Sequence, residues 1–164
     1  MSAENRIYNA AISSGAPENM ARLLVAQSKH ETGNYTSNAF KVNNNAFGYK
    51  RVTGSKFQAG AGIKSTEGDA YAKYNTVEDS VHEVVAWLNR RVKEGKFPAL
   101  VTIQTPEQYA KLLKKAGYYG APLSEYINGL KKFITGNLKV VAVSGVSVLF
   151  FLLTFLIIVK RWRR

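Results

Sequence analysis

Apolar residues recur at helical spacing in several stretches of the chain and lose that spacing in one. Ala3–Ser13 predicts a short helix with Ile7, Ala10 and Ala11 inward. The run Ser13-Ser14-Gly15-Ala16-Pro17 breaks it and leads into a second helix, for which Pro17 suits the first turn and Gly33 the stop. Within that helix Met20, Leu23, Leu24 and Gln27 follow the i, i+3, i+4, i+7 period of a core-facing stripe. At about 100° per residue, Glu31 falls within about 20° of Met20 and Leu24, so its carboxyl points to the buried side.

From Arg51 to Asn75 the helical period disappears. Gly54, Gly60, Gly62 and Gly68 punctuate short runs, and Gly60–Lys64 with Ala70–Tyr74 predicts a small, irregular hairpin lobe. Thr76–Glu94 is the clearest helix. Thr76 can cap it, Glu78 and Asp79 suit its first turn, and Val77, Val81, Val84, Val85, Leu88 and Val92 form an apolar stripe ended by Gly95. Glu78 and Glu83 are expected in solvent. Thr105-Pro106-Glu107-Gln108 is a capping box opening a helix that ends at Gly117, with Tyr109, Leu112 and Leu113 inward. Leu123–Ile134 predicts a last amphipathic helix, with Tyr126, Ile127, Leu130 and Ile134 on one side. The fold class is mainly α: a helical domain with a small β-hairpin lobe (α+β).

Gly136-Asn137 marks a boundary between a domain of residues 1–136 and a segment of residues 137–164. Val140–Val159 is twenty residues without a charge, long enough for about 30 Å of hydrocarbon, which predicts one C-terminal transmembrane helix in a lipid bilayer. Lys160-Arg161-Trp162-Arg163-Arg164 closes it, and such a cationic end favours the inner side of a membrane.

The position of Glu31 carries chemistry. Burial penalises its anion, and the negative end of the helix dipole adds to that. A carboxyl group kept neutral near pH 7 can serve as a general acid. The residues that follow are small, polar and aromatic: Thr32, Gly33, Asn34, Tyr35, then Phe40, Asn43, Asn44, Asn45, Phe47, Gly48 and Tyr49. Amides can fix sugar hydroxyls by paired hydrogen bonds, and aromatic faces cover the apolar side of a pyranose. His30 and His82 show no metal-ligand spacing and are expected to be ordinary polar positions, so no metal and no cofactor is expected.

The order of these motifs resembles the bacterial and phage glucosaminidase family of peptidoglycan hydrolases, FlgJ-like enzymes of the lysozyme-like superfamily. The matching segments are A-Q-S-x-x-E-T-G, N-x-F-G-Y-K, the Tyr74–Arg90 stretch YNTVEDSVHEVVAWLNR, and P-E-Q-Y-A-x-x-L-x-x-A-G-Y-Y. The resemblance covers roughly residues 16–134. It implies a lysozyme-like fold with Glu31 as the catalytic acid. It places Asn45, Phe47, Tyr49 and Lys50 in the N-x-F-G-[IY]-K segment and gives Tyr118 or Tyr119 as the cleft tyrosine, with Asn45, Phe47, Tyr49, Tyr118 and Tyr119 expected to bind substrate. One departure is local: the family reads T-D-P where this chain has Gly120-Ala121-Pro122. In lysozyme-like folds the hairpin lobe faces the catalytic helix and often brings the second carboxylate. Glu67 and Asp69 are its candidates, Glu67 the preferred one; both also suit a plain turn.

Composition narrows the partners. No cysteine is present, which excludes disulfides, a thiol nucleophile and cysteine-ligated metal. The net charge of +12 draws the chain to anionic polymers. Lys and Arg are spread along the sequence without a recognition motif, so no specific nucleic acid is expected. Peptidoglycan glycan strands are the expected partner. Met1–Ser14 has neither a basic start nor an apolar central run. A cationic inner tail without an export signal favours the membrane of a virus particle assembled inside the cell, where other virion proteins are candidate partners, over the bacterial inner membrane. The expected activity is cleavage of β-1,4 bonds between amino sugars by a membrane-anchored hydrolase. A glucosaminidase is expected, and a lytic transglycosylase or muramidase would use the same acid. Two readings of other classes stand beside it. One is an inactive glycan-binding anchor. The other is a structural virion membrane protein whose basic domain would bind DNA with steep salt dependence.

Overall fold

Helix α2, Glu18–Glu31, runs through the centre of the domain. Met20, Ala21, Leu24, Ala26 and Gln27 are fully buried along it, the pattern set by its i, i+3, i+4 stripe. The structure, a computed structural model, describes residues 1–65 and 68–134. Helix α1, Ala3–Ser13, is capped by Ser2 and packs on α2. Helix α4, Val77–Lys93, packs on α1 from the other side. Helices α5, Pro106–Lys115, and α6, Leu123–Phe133, pack on one another, and α6 lies against α2. A single core of Ile7, Met20, Leu24, Val81, Val84, Leu88, Tyr109, Leu113 and Leu130 joins them. Thr76 and Thr105 cap α4 and α5 in reciprocal boxes with Asp79 and Gln108, each box satisfying two otherwise orphaned backbone groups.

The hairpin forms where the glycines punctuate the sequence. Strand β1, Gly60–Lys64, pairs antiparallel with β2, Ala70–Lys73, with a register irregularity between Ala61 and Lys64. Residues 49–51 run along the other edge of β2: Ala72 N donates to the Tyr49 carbonyl at 2.8 Å and Arg51 N to that of Ala70 at 2.9 Å. A six-residue helix not expected from the sequence, α3 (Asn38–Asn43), packs against both strands. Six residues are too few for a helical period to show, and tertiary contact with the hairpin holds it. The second lobe is therefore α3 plus the hairpin.

Three expectations need correction. Glu83 is not solvated: its carboxylate accepts from Ser55 Oγ at 2.7 Å, from Gln58 Nε2 at 3.0 Å, and from the Tyr74 hydroxyl. Glu78 pairs with Arg6 of α1 at 2.6 Å. Ile134, placed on the inward face of the last helix, lies just beyond it and is 39% exposed. Among the described residues no helix is long and apolar enough to cross a membrane. The expected span, 140–159, and the boundary at 136–137 lie outside the described residues, as does Glu67.

Candidate active site

Glu31 is the last residue of α2, and the chain turns sharply behind it. Gly33, Asn34 and Tyr35 all have positive φ (57°, 58° and 68°), a left-handed run costly for a tyrosine. Thr32 holds this turn, its hydroxyl donating to the Ser28 carbonyl at 2.6 Å and accepting from Tyr35 N at 2.9 Å. The fold-back lays the Tyr35 hydroxyl 3.2 Å from Ser28 Oγ and the Tyr35 ring against Phe40.

Two consecutive turns of α2 each receive a tyrosine hydroxyl. Tyr109 of α5 donates to Gln27 Oε1 at 2.6 Å, and Tyr126 of α6 donates to Glu31 Oε1 at 2.6 Å. Loss of hydration pushes the Glu31 carboxyl up to about 7, and the Tyr126 hydrogen bond pulls against that rise. Tyr126 was read from the sequence only as a core position. Its signal was present: a tyrosine in an aliphatic stripe needs a partner for its hydroxyl once buried. The ring is held on two sides. Tyr119 stacks on it with centroids 3.7 Å apart and 6° between planes, and the His30 ring meets it edge-on at 5.0 Å. His30 has room because α6 carries Gly129 there; a Cβ at that position would lie 2.3 Å from His30 Cε1.

The segment Asn43–Tyr49 closes the site from the hairpin side, mostly by organising itself. Asn43 Oδ1 accepts from Ile63 N at 3.4 Å, and Asn44 Nδ2 donates to the Tyr74 and Asn75 carbonyls at 3.1 Å each. Asn45 Nδ2 donates to the carbonyls of Tyr49 and Ala72, while its Oδ1 accepts from the Phe47 and Tyr49 amides. Asn45 is fully buried and its amide is fully engaged, so it shapes the loop where direct contact with a sugar had been expected. Phe47, at 2% exposure, is likewise a core residue and no platform for a pyranose. The three asparagines looked like sugar ligands because composition does not distinguish an amide facing a cleft from one tying a loop.

Gly48 and Tyr49 do reach the site. Gly48 has φ 65°, and a Cβ there would stand 3.9 Å from Glu31 Oε2, so this backbone lies directly beside the carboxyl. Tyr49 lines a groove of about 630 Å³ with residues 52–58 on one wall and Glu83, Ala86, Trp87 and Arg90 of α4 on the other. Glu31 is not in the groove's lining; the groove begins one residue past Gly48. The Tyr49 hydroxyl is buried without a hydrogen-bond partner among the described residues. Burial pushes it well above the usual phenol range, and the negative fields of Glu83 and Glu31 add to the rise. Tyr118 donates to the Phe47 carbonyl at 2.6 Å, and its ring lies 5.9 Å from Tyr49 and 6.2 Å from Trp87. The two candidate cleft tyrosines thus have separate places: Tyr118 backs the groove, while Tyr119 backs Tyr126. Asp69 is exposed, and its carbonyl accepts from Ser65 N within the hairpin turn. Among the described residues no cluster of His, Cys, Asp or Glu could hold a metal ion.

Replacing Tyr126 by Phe tests the link between the two helices. The ring keeps its stack on Tyr119, but the carboxylate loses its donor, so the Glu31 pKa rises further. The alkaline limb of a pH–rate profile should move up by about one unit, a hydrogen bond to a charged group being worth about 1.5 kcal/mol or more. A limb that stays in place or moves down shows that Tyr126 does not set the Glu31 proton affinity.

The profile of the Glucosaminidase family, described as mannosyl-glycoprotein endo-beta-N-acetylglucosaminidase, matches residues 8–139. The glycoside hydrolase domain of FlgJ from Salmonella typhimurium is similar in structure, with a TM-score of 0.55 at 25% identity over 79% of each chain. A chain in a type VI secretion system effector–immunity complex from Pseudomonas protegens shares the fold, with a TM-score of 0.53 at 17% identity over 79% of this chain and 86% of that one. No functionally curated protein gives a significant sequence match. The matched profile spans the catalytic-candidate helix, the hairpin lobe and both tyrosine-bearing helices, and the chain belongs to the Glucosaminidase family of glycoside hydrolases.

Proposed function

We propose that this chain is a peptidoglycan hydrolase that cuts β-1,4 bonds between amino sugars, with Glu31 as the general acid. One observation carries the reading. A carboxyl group sits at the end of a buried helix, with one hydroxyl donor and a proton affinity raised to about 7. Such a group is protonated in a large fraction of molecules at neutral pH and can pass its proton to the leaving glycosidic oxygen. Departure of that oxygen leaves an oxocarbenium-like centre. A carboxylate from the hairpin lobe, Glu67 in this reading, or the substrate's own acetamido group stabilises it. Tyr49, beside Gly48 at the mouth of the site, positions the sugar, and Tyr126 holds the Glu31 carboxyl in place.

Residues 140–159 anchor the enzyme in this proposal, with the basic tail on the inner side. Carriage in the membrane of a virus particle gives the enzyme access to the wall at entry. Support for the anchor is the uncharged run itself.

The test is release of soluble fragments from purified peptidoglycan by the full chain in detergent, with analysis of the new ends. Reducing N-acetylglucosamine ends are expected. Anhydro-muramic ends would move the chain to lytic transglycosylases. Tight binding of the polymer without release would make it a glycan-binding anchor.

A further inference from the structure

The groove beside Tyr49 carries charge for which a neutral N-acetylated sugar has no use. Its floor and walls are aromatic, from Tyr49, Phe57 and Trp87, and its volume of about 630 Å³ is in the range of small-ligand sites. Three cations line it, Lys50, Lys56 and Arg90, and Lys50 has its Nζ 4.7 Å from the Tyr71 ring centroid. The Arg90 side chain is 62% exposed, and its one ion pair among the described residues is with Glu94, at 3.9 Å. Lys56 is exposed, with Nζ 5.0 Å from the Phe57 ring centroid and no ion pair among the described residues. The one acid among the described lining residues, Glu83, faces inward onto Ser55, Gln58 and Tyr74, so its charge is directed at its own donors. Arg91 lies 5.2 Å from the Trp87 ring centroid, which holds that ring as a wall.

We infer that this groove, between residues 52–58 and α4, is a subsite for the peptide stem of peptidoglycan, with Lys56 and Arg90 taking its carboxylates. The inference rests on the proposed peptidoglycan substrate. Its geometry follows from covalent chemistry. The stem leaves the glycan from the lactyl ether of a muramic acid ring, so a stem subsite must lie beside the acid and not on it. The groove has that place: a Cβ on Gly48 would stand 3.9 Å from Glu31 Oε2, and Tyr49, the next residue, is already groove wall. An apolar trough with cations at its edge also fits a short peptide of small apolar residues and free carboxylates better than it fits a neutral pyranose. Electrostatic complementarity of this kind sets selectivity and encounter more than total affinity.

Two measurements with the full chain in detergent decide the matter. The first compares kcat/KM on peptide-bearing glycan strands with that on strands stripped by an amidase, which keep the lactyl carboxylate but lose the stem. The second measures binding of a soluble peptide-bearing disaccharide and of its peptide-free counterpart by calorimetry. The inference expects a preference of about tenfold for the peptide-bearing form in both, two exposed charge contacts and added apolar contact supplying about 1.4 kcal/mol. In K56E/R90E the ratio should fall towards one. Equal cleavage and equal binding of the two forms by the unaltered chain overturns the stem subsite and leaves the hydrolase intact. A preference that survives K56E/R90E overturns the assignment to this groove. Arg90-dependent binding of the peptide-bearing disaccharide without cleavage of either strand keeps the subsite and defeats the hydrolase reading.

Discussion

Glu31→Gln should lower fragment release from peptidoglycan by at least about 100-fold, the usual scale for loss of a general acid. The same change should make the folded domain more stable at alkaline pH, and the two effects share one cause. In the folded chain burial raises the Glu31 pKa to about 7, while in the unfolded chain it returns to the ordinary value of 4.5. Between those two pH values the folded state holds a proton that the unfolded state has released. The protonated carboxyl therefore favours folding fully below about 4.5, and the advantage is lost as pH rises through about 7. Above that, the fold carries a desolvated carboxylate at a cost on the order of 3 kcal/mol. Glutamine retains an oxygen for the Tyr126 hydroxyl and carries no charge to desolvate. Urea unfolding of wild type and Glu31→Gln at pH 5 and pH 8 should show curves close together at pH 5 and separated in favour of the variant at pH 8. A variant that stays active, or that is the less stable at pH 8, removes Glu31 from the centre of the mechanism.

Glu83→Ala should be the most damaging single truncation on the hairpin side, costing about 3 kcal/mol of stability. Its carboxylate is the meeting point of three donors from separate segments: Ser55 and Gln58 from the loop before the hairpin and Tyr74 from just after β2. Tyr74 is 1% exposed, so truncation leaves its hydroxyl buried without an acceptor. The loop over the groove loses two of its ties in the same step. Unfolding at neutral pH gives the stability loss. A double-mutant cycle with Tyr74→Phe separates the pair from the rest, because the second change should cost less once Glu83 is gone. A loss below about 0.5 kcal/mol, the scale of an ordinary surface position, would show Glu83 to be the solvated residue its helical position suggests.

Much of this molecule follows from local chemistry alone. The boundaries of α2, α4 and α5 are legible because caps and stops act within a few residues of themselves: Thr76 with Asp79, Thr105 with Gln108 and Pro106, Gly95 and Gly117 past the ends. The hairpin was equally legible, since Gly60–Lys64 and Ala70–Lys73 are short runs set off by glycine. The inward aim of Glu31 also follows from the chain, because helical phase is fixed by the residue count from Met20.

What the chain could not specify are contacts between residues far apart in it. Tyr126 meets Glu31 across 95 positions, and Tyr118 meets the Phe47 carbonyl across 71. Both depend on how α6 and the turn before it pack against α2, a matter of shape and not of period. Asn45 and Phe47 went the other way. Residues suited to a sugar were drawn inward because the loop had backbone groups to satisfy and the core had volume to fill. Glu83 changed its meaning for the same reason: one helical face looks polar until a loop folds over it and supplies three donors. Local chemistry sets the five longer helices, the hairpin and the inward phase of Glu31, because each depends on neighbours along the chain. Packing in three dimensions sets helix α3, the hydroxyl that Glu31 meets and the polar residues that face the groove, because these depend on neighbours in space.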